Sequence, residues 1–128
     1  MRVLLDTHTV IWWVDQDHLL GVAARAAITD PANELLLSAA TVWEISIKVG
    51  LGKLSLSVPY RQWMDQAMAD LGATLLPITV EYADVQARLP LHHRDPFDRL
   101  LIAQAQVDDV PLISGDATFD QYGIARLW

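Results

Sequence analysis

The residues of this sequence best suited to chemistry are four acids: Asp6, Glu44, Asp98 and Asp116. Asp6 follows an apolar run that is typical of a buried strand, and Asp116 follows another such run. Ligands of open parallel sheets bind beyond the carboxyl ends of the strands, so we expect both carboxylates in one crevice. Asp98 lies in the first turn of a predicted helix that opens on the same side, and Glu44 lies inside another helix.

Such a group of carboxylates is suited to binding divalent cations. Two carboxylates about 5 Å apart repel each other by roughly 3 kcal/mol at an effective dielectric constant near 20. Bound cations offset this repulsion, and sites made only of oxygen ligands favour Mg²⁺ or Mn²⁺. A cation held in this way can activate water, orient a phosphate and stabilise the leaving oxygen. The pattern therefore indicates hydrolysis of a phosphodiester bond without a nucleophile from the protein.

Each acid also has a purely structural interpretation. Asp6 could end its strand or cap the following helix, and Asp116 could be a turn residue. Glu44 could be a solvated partner of Lys48, four residues later on the same helix. Asp98 could simply favour the helix dipole. The combination at the strand ends, and no single residue, favours a functional site.

Neighbouring polar residues fit structural roles. Asp95 and Pro96 are predicted to open a helix, as the N-cap and the first helical residue. Asp120 is interpreted as a surface or turn residue. His92 and His93 are adjacent and so point in different directions, which favours loop residues over a metal-binding pair, although one of them could touch phosphate.

The elements that must position these residues alternate between short apolar runs and helical stretches, as in an α/β domain with a largely parallel sheet. Strands are predicted at residues 2–5, 34–37, 74–78, 110–114 and 124–127. Helices are predicted at residues 7–14, 21–29, 38–49, 59–71, 80–89 and 96–107. Pro77 places the third strand at the edge of the sheet, or marks the strand's end.

Length and composition set the protein class. A chain of 128 residues predicts one domain, residues 1–128. With 52% hydrophobic and 20% charged residues it is expected to be globular, and the absence of cysteine excludes disulfides and thiolate zinc sites. No signal peptide or membrane span is visible, so we expect a soluble cytoplasmic protein. The net charge of −7 argues against a generic nucleic-acid binder, so any such contact must use a local basic patch or bound cations.

Four stretches carry a resemblance to a known family. They are LLDTH at residues 4–8, SAATVWEI at 38–45, HHRDPFDRLLIAQA at 92–105 and LISGD at 112–116. In order and spacing these stretches resemble the PIN-domain family over essentially the whole chain. The stretch at 92–105 is the most specific, and it resembles one branch of the VapC-like toxins of VapBC toxin–antitoxin pairs.

The resemblance implies a fold, an activity and partners. The fold is a three-layer α/β/α sandwich with a central, mostly parallel sheet. The activity is that of an endoribonuclease that depends on Mg²⁺ or Mn²⁺ and cleaves RNA. The implied partners are a cognate antitoxin that blocks the site and a second copy of the chain in a homodimer, with no membrane.

The resemblance also implies roles for individual residues. Asp6 and Asp98 would be the principal metal ligands, and Asp116 would complete the site directly or through water. Glu44 would ligate the metal or position the attacking water. Supporting groups around the metal ligands would be Asp95, Thr7 and Ser114. Candidates for contacts with RNA phosphates are Lys48, Lys53, Arg94 and Arg99, although Arg99 could instead pair with a carboxylate.

Three other functions compete with this interpretation. A phosphatase with an aspartyl nucleophile would need a second Asp two residues after Asp6, where this chain has His8. A receiver-like signalling domain would need paired acids after the first strand and a Lys near the fifth, yet no Lys follows Lys53. A PIN-like domain that only binds RNA or a protein partner is the third, and the intact acids argue against it.

Overall fold

Five short strands form one parallel sheet in this computed structural model, which describes all of residues 1–128. The strands are β1 (Arg2–Leu5), β2 (Glu34–Ser38), β3 (Thr74–Leu76), β4 (Leu112–Ile113) and β5 (Arg126–Leu127). Their order is β3-β2-β1-β4-β5, and each neighbouring pair is parallel. The predicted parallel α/β sheet is confirmed, and β1 at its centre places Asp6 at the middle of the carboxyl edge.

Helices connect the strands. They are α1 (Thr7–Asp15), α2 (Val22–Thr29), α3 (Ala39–Gly50), α4 (Tyr60–Leu71), α5 (Val80–Ala87) and α6 (Pro96–Asp108). Two short 3₁₀ helices, Asp17–Leu19 and Ala117–Tyr122, were not predicted. None of the helices has both the length and the apolar character that crossing a bilayer requires.

Three strands are shorter than predicted. The third was expected to reach residue 78, but it ends at Leu76 because Pro77 has no N–H for the ladder. As expected from Pro77, this strand lies at the edge of the sheet. The fourth begins only after Pro111, and the fifth contains only Arg126 and Leu127. Short strands suffice here because packing on both faces of the sheet holds them in place.

Successive side chains of the strands enter two separate hydrophobic clusters. Val3 and Leu5 pack with Trp63 on one face of the sheet, whereas Leu4 packs with Phe119 on the other. This alternation is the period-two geometry of a strand, and it requires helices on both faces. Each fully buried leucine contributes about 2 kcal/mol of hydrophobic stabilisation. The three-layer sandwich that the resemblance implied is therefore confirmed.

Strands at the centre of the sheet lead directly into helices. One residue separates β1 from α1, and α3 starts immediately after β2. Ser38 caps α3 by accepting a hydrogen bond from the Ala40 amide at 3.1 Å. The amino ends of these helices thus open at the carboxyl edge of the sheet, where unpaired N–H groups favour negative charge.

Candidate active site

Asp6 occupies the single position between β1 and α1. Its carboxylate accepts the Thr9 amide at 2.7 Å and so caps the helix. The residue is only 5% exposed, and burial raises the pKa of its carboxyl group, although hydrogen bonds from Ser114 and Thr9 oppose the increase. Asp6 ends its strand and caps its helix, and it also lines an open pocket together with Asp116. The structural and functional interpretations of Asp6 are thus compatible.

Glu44 lies inside α3 and is 2% exposed. Its Oε1 accepts a hydrogen bond from Thr7 Oγ1 at 2.6 Å, and its Oε2 accepts one from Lys48 Nζ at 2.5 Å. The pairing of Glu44 with Lys48 was anticipated, but the idea that the pair is solvated is wrong on the Glu44 side. Thr7 thus fixes the Glu44 carboxylate, and Asp6, not Thr7, caps α1.

Lys48, which was predicted to contact RNA, has an ionic partner within the protein. Its ammonium is bound to Glu44, and this hydrogen bond is the main cause of the raised pKa of Lys48. The negative charges of Asp95 and Asp98 raise the pKa further, so the ammonium lies among the acids. Lys48 thus serves as a built-in counter-charge of the site.

Asp98 shows most clearly that the acids converge. It lies in the first turn of α6. Its pKa is raised to about 7, first by burial and then by the negative charges of Asp95, Glu44, Asp6 and Asp116. Carboxylates from α3, from the junction of β1 and α1, from the cap of α6 and from the segment after β4 therefore act on one group. The structure brings together the four acids that the sequence singled out.

Asp116 begins the 3₁₀ helix that follows β4, and it caps that helix. Its Oδ1 accepts hydrogen bonds from the Thr118 amide at 3.0 Å and from the Thr118 hydroxyl at 2.6 Å. Burial alone would raise the pKa of Asp116, but the Thr118 hydrogen bonds outweigh it and the pKa is lowered. Its own amide donates to Ser114 Oγ at 3.0 Å, so Ser114 interacts with both Asp6 and Asp116.

His93 belongs to the site, and the sequence interpretation missed it. Ligand atoms of His93, Asp98 and Asp116 all lie within 4.8 Å of one another, and His93 Nε2 is 3.9 Å from Asp116 Oδ2. The two adjacent histidines do point differently, since His92 is exposed whereas His93 is half-buried and stacks on Phe119. Only this tertiary contact distinguishes His93 from His92, so no spacing rule could have identified it.

Arg99 was predicted to contact RNA or a carboxylate, and both predictions are wrong. The residue is 6% exposed, and its guanidinium donates only to carbonyl and amide oxygens. The carbonyls near the end of α5 supply acceptors because helix carboxyl ends carry partial negative charge. Among the remaining candidates for RNA contacts, Lys53 and Arg94 are exposed. Asp95 is the N-cap of α6, accepting the Phe97 and Asp98 amides at 2.8 and 3.2 Å.

The donor set fits a hard divalent cation. Asp6, Asp98 and Asp116 offer carboxylate oxygens, the ligands that Mg²⁺ and Mn²⁺ prefer. Lys48 donates its hydrogen bond to Glu44, whereas the charges of four other carboxylates act on Asp98. The pKa of Asp98, near 7, reflects burial first and then repulsion by the neighbouring carboxylates, and a cation would relieve that repulsion.

Comparisons with known proteins agree with this geometry. A model of the PIN domain family matches residues 3–125. Ribonuclease VapC22 of Mycobacterium tuberculosis is 34% identical over 104 residues, which cover 80% of this chain and 78% of that protein. Ribonuclease VapC16 of the same organism is 38% identical over 64 residues, covering 50% of this chain and 44% of that protein.

Similar folds occur among solved structures. VapBC2 from Rickettsia felis, bound to a DNA fragment from its promoter, superposes with a TM-score of 0.74 and 11% identity. That match covers 98% of this chain and 97% of the other. VapBC-1 from nontypeable Haemophilus influenzae gives a TM-score of 0.65 with 17% identity, over 98% of this chain and 96% of the other. At these identities the likeness concerns the fold alone.

Proposed function

The chain belongs to the PIN-domain family, and from that premise we propose that it is an endoribonuclease dependent on Mg²⁺ or Mn²⁺ and the toxin of a VapBC-type pair. The observation that carries the proposal is the convergence of Asp6, Glu44, Asp98 and Asp116; burial and then the charges of the neighbouring acids raise the pKa of Asp98 to about 7. A fold keeps such repulsion where a ligand compensates it. The similarity to a VapC ribonuclease over most of both chains supports RNA as the substrate.

Three carboxylates hold the cation in this proposal: Asp6, Asp98 and Asp116. When bound, the cation supplies Lewis-acid activation of water and neutralises the phosphate. Asp6 is preorganised for this task because its helix cap and its burial fix the side chain. Asp98 must give up its proton to bind, so cation binding becomes stronger as the pH rises towards 7 and beyond.

Glu44 acts on water in this proposal. Thr7 and Lys48 each occupy one acceptor position of its carboxylate. A carboxylate has about four such positions, so the remaining ones can accept hydrogen bonds from a water molecule. The two protein partners fix the carboxylate plane and thereby the position of that water.

RNA reaches the site through local contacts, because the chain as a whole carries a charge of −7. Lys53 and Arg94 are exposed, and we assign them to RNA phosphates. A cognate antitoxin would inhibit by placing a basic group among the same carboxylates that bind the cation. We expect the toxin to act as a homodimer in the cytoplasm, where RNA and antitoxin are made.

The decisive experiment is cleavage of RNA by purified protein. Cleavage with Mn²⁺ or Mg²⁺ should stop on addition of EDTA and resume when the metal is restored. Asp98→Asn should lower the rate at least a hundredfold while leaving the far-UV circular dichroism unchanged, and Asp70→Asn, an exposed acid of α4, should leave the rate unchanged. Full cleavage by Asp98→Asn, or cleavage in excess EDTA, would overturn the proposal. RNA binding without cleavage would favour the non-catalytic alternative.

A further inference from the structure

A directed chain of hydrogen bonds ends on Asp116. The Thr118 hydroxyl has one proton, and it donates that proton to Asp116 Oδ1 at 2.6 Å because an ionised carboxylate can only accept. The same hydroxyl oxygen lies 2.7 Å from His93 Nε2 and must therefore accept there. His93 Nε2 carries a proton in this arrangement, and Nδ1 meets the Tyr122 hydroxyl at 3.2 Å. The hydrogen bonds at Thr118 have the same direction whether the His93 ring is a neutral imidazole or an imidazolium.

The imidazole ring of His93 is held firmly. It stacks on Phe119 with ring centroids 5.5 Å apart and planes inclined by 18°. Its side chain is 13% exposed. The main chain of His93 is fixed as well, since its carbonyl accepts a hydrogen bond from Arg99 Nη1 at 3.2 Å. Arg99 directly follows Asp98 in α6, so the helix that presents one candidate ligand also anchors His93.

Asp116 needs such support more than the other acids do. Asp6 is buried at the end of the central strand, whereas the Asp116 side chain is 46% exposed and follows a strand of only two residues. Of its carboxylate oxygens, Oδ1 is held only by Thr118. An aspartate that samples several rotamers binds a cation less tightly than one held in the bound geometry, because binding must then restrict it.

We propose that His93 is a positioning residue that acts through Thr118 to hold the Asp116 carboxylate in the orientation that binds the divalent cation. The inference deepens the proposed function and depends on it, since it takes Asp116 as a metal ligand. It assigns no direct ligation to His93. The Nε2 atom of His93 is 3.9 Å from Asp116 Oδ2 and already donates a hydrogen bond to the Thr118 hydroxyl.

The test measures cation binding without RNA, so it does not depend on catalysis. Mn²⁺ is titrated into the full-length protein, and the free ion is followed by its electron paramagnetic resonance signal. Thr118→Val keeps the side-chain shape and removes the hydroxyl, and it should weaken Mn²⁺ binding about tenfold. Thr118→Ser restores the hydroxyl and should restore the affinity. His93→Phe keeps an aromatic ring against Phe119 and should lower the Mn²⁺ affinity as much as Thr118→Val does. The double variant His93→Phe/Thr118→Val should bind Mn²⁺ no more weakly than either single variant.

A further background variant, Asp116→Asn, separates positioning from ligation. In an Asp116→Asn background, His93→Phe should cause no further loss of Mn²⁺ affinity if His93 acts only through Asp116. A further loss there, or wild-type affinity in Thr118→Val, would overturn the inference while leaving the proposed function intact. Failure of the wild-type protein to bind Mn²⁺ would overturn both. Because Thr118 is exposed, its variants are expected to fold, and thermal unfolding checks this.

Discussion

Replacing Asp98 by Asn should stabilise the metal-free protein at neutral and alkaline pH. The pKa of Asp98 is raised from an ordinary 3.8 to about 7 by burial and by the surrounding carboxylates. Between these pH values the folded protein binds a proton that the unfolded chain has lost. The stability contributed by this group is therefore greatest below about pH 4 and decreases as the pH rises towards 7. Asn cannot ionise, so the Asp98→Asn variant does not lose stability in this way as the pH rises.

The size of the effect follows from the difference in pKa. A difference of about 3 pH units corresponds to about 4 kcal/mol at 1.36 kcal/mol per unit. Asp98 is partly exposed, and solvent screens its interactions with the other acids, so we halve this figure. The free energy of unfolding of Asp98→Asn, relative to the wild type, should thus rise by about 2 kcal/mol between pH 4 and pH 8.

Urea denaturation in EDTA, followed by tryptophan fluorescence at pH 4, 6 and 8, measures this difference. Asp70→Asn removes an exposed carboxylate of α4 and is the matched control. The difference in the free energy of unfolding between Asp70→Asn and the wild type should stay nearly constant with pH. Adding Mn²⁺ at one hundred times its dissociation constant should stabilise the wild type by about 2.7 kcal/mol and the Asp98→Asn variant by much less.

The reasoning is refuted if the pH profiles of wild type and Asp98→Asn run parallel from pH 4 to pH 8. Parallel profiles would mean that the other acids do not act on Asp98 in solution, and that the pocket is neutralised by some other means. A variant that is less stable than the wild type at pH 8 would argue against the reasoning more strongly still, since Asn would then have removed a favourable interaction.

Three further substitutions test two contacts that support the site and one helix cap elsewhere in the fold. Lys48→Met leaves the buried Glu44 without its counter-charge and should cost about 2 to 3 kcal/mol at pH 8, which urea denaturation measures. Arg99→Met leaves several carbonyls without donors and should cost about 3 kcal/mol, measured in the same way. Gly72→Ala, at a φ of +59° in the cap of α4, should lower stability by about 1 kcal/mol without changing RNA cleavage.

The fold could be predicted from local patterns because its strands are buried on both faces and so read as continuous apolar runs. Leu35, Leu36 and Leu37 form such a run, and all three are buried. The ends of the elements were less predictable. The strand near Val110 was expected to extend over five residues, yet it contains only two and begins after Pro111, which has no N–H to donate. The 3₁₀ helix at Ala117–Tyr122 was missed because it depends on capping by Asp116 rather than on periodicity.

The acids of the site could be anticipated because strand ends and helix starts are local features. Asp6 and Asp98 each lie at such a point. The contributions of Arg99 and His93 depend on contacts across the fold, with the end of α5 and with Phe119. An exposed role is the natural expectation for an arginine, since a buried guanidinium requires acceptors that no sequence pattern reveals. The structure supplies them as main-chain carbonyls.

The way in which the charges are compensated explains why a cation should couple to folding. Glu44 receives its counter-charge from Lys48, four residues later in the same helix, so that pair forms wherever α3 forms. Asp6, Asp98 and Asp116 lie on three different segments, and the neighbouring carboxylates raise the pKa of Asp98. A divalent cation that binds these three carboxylates joins segments that otherwise repel one another. Metal binding and stability must therefore rise together, and a basic group from a protein inhibitor would compete for the same three carboxylates.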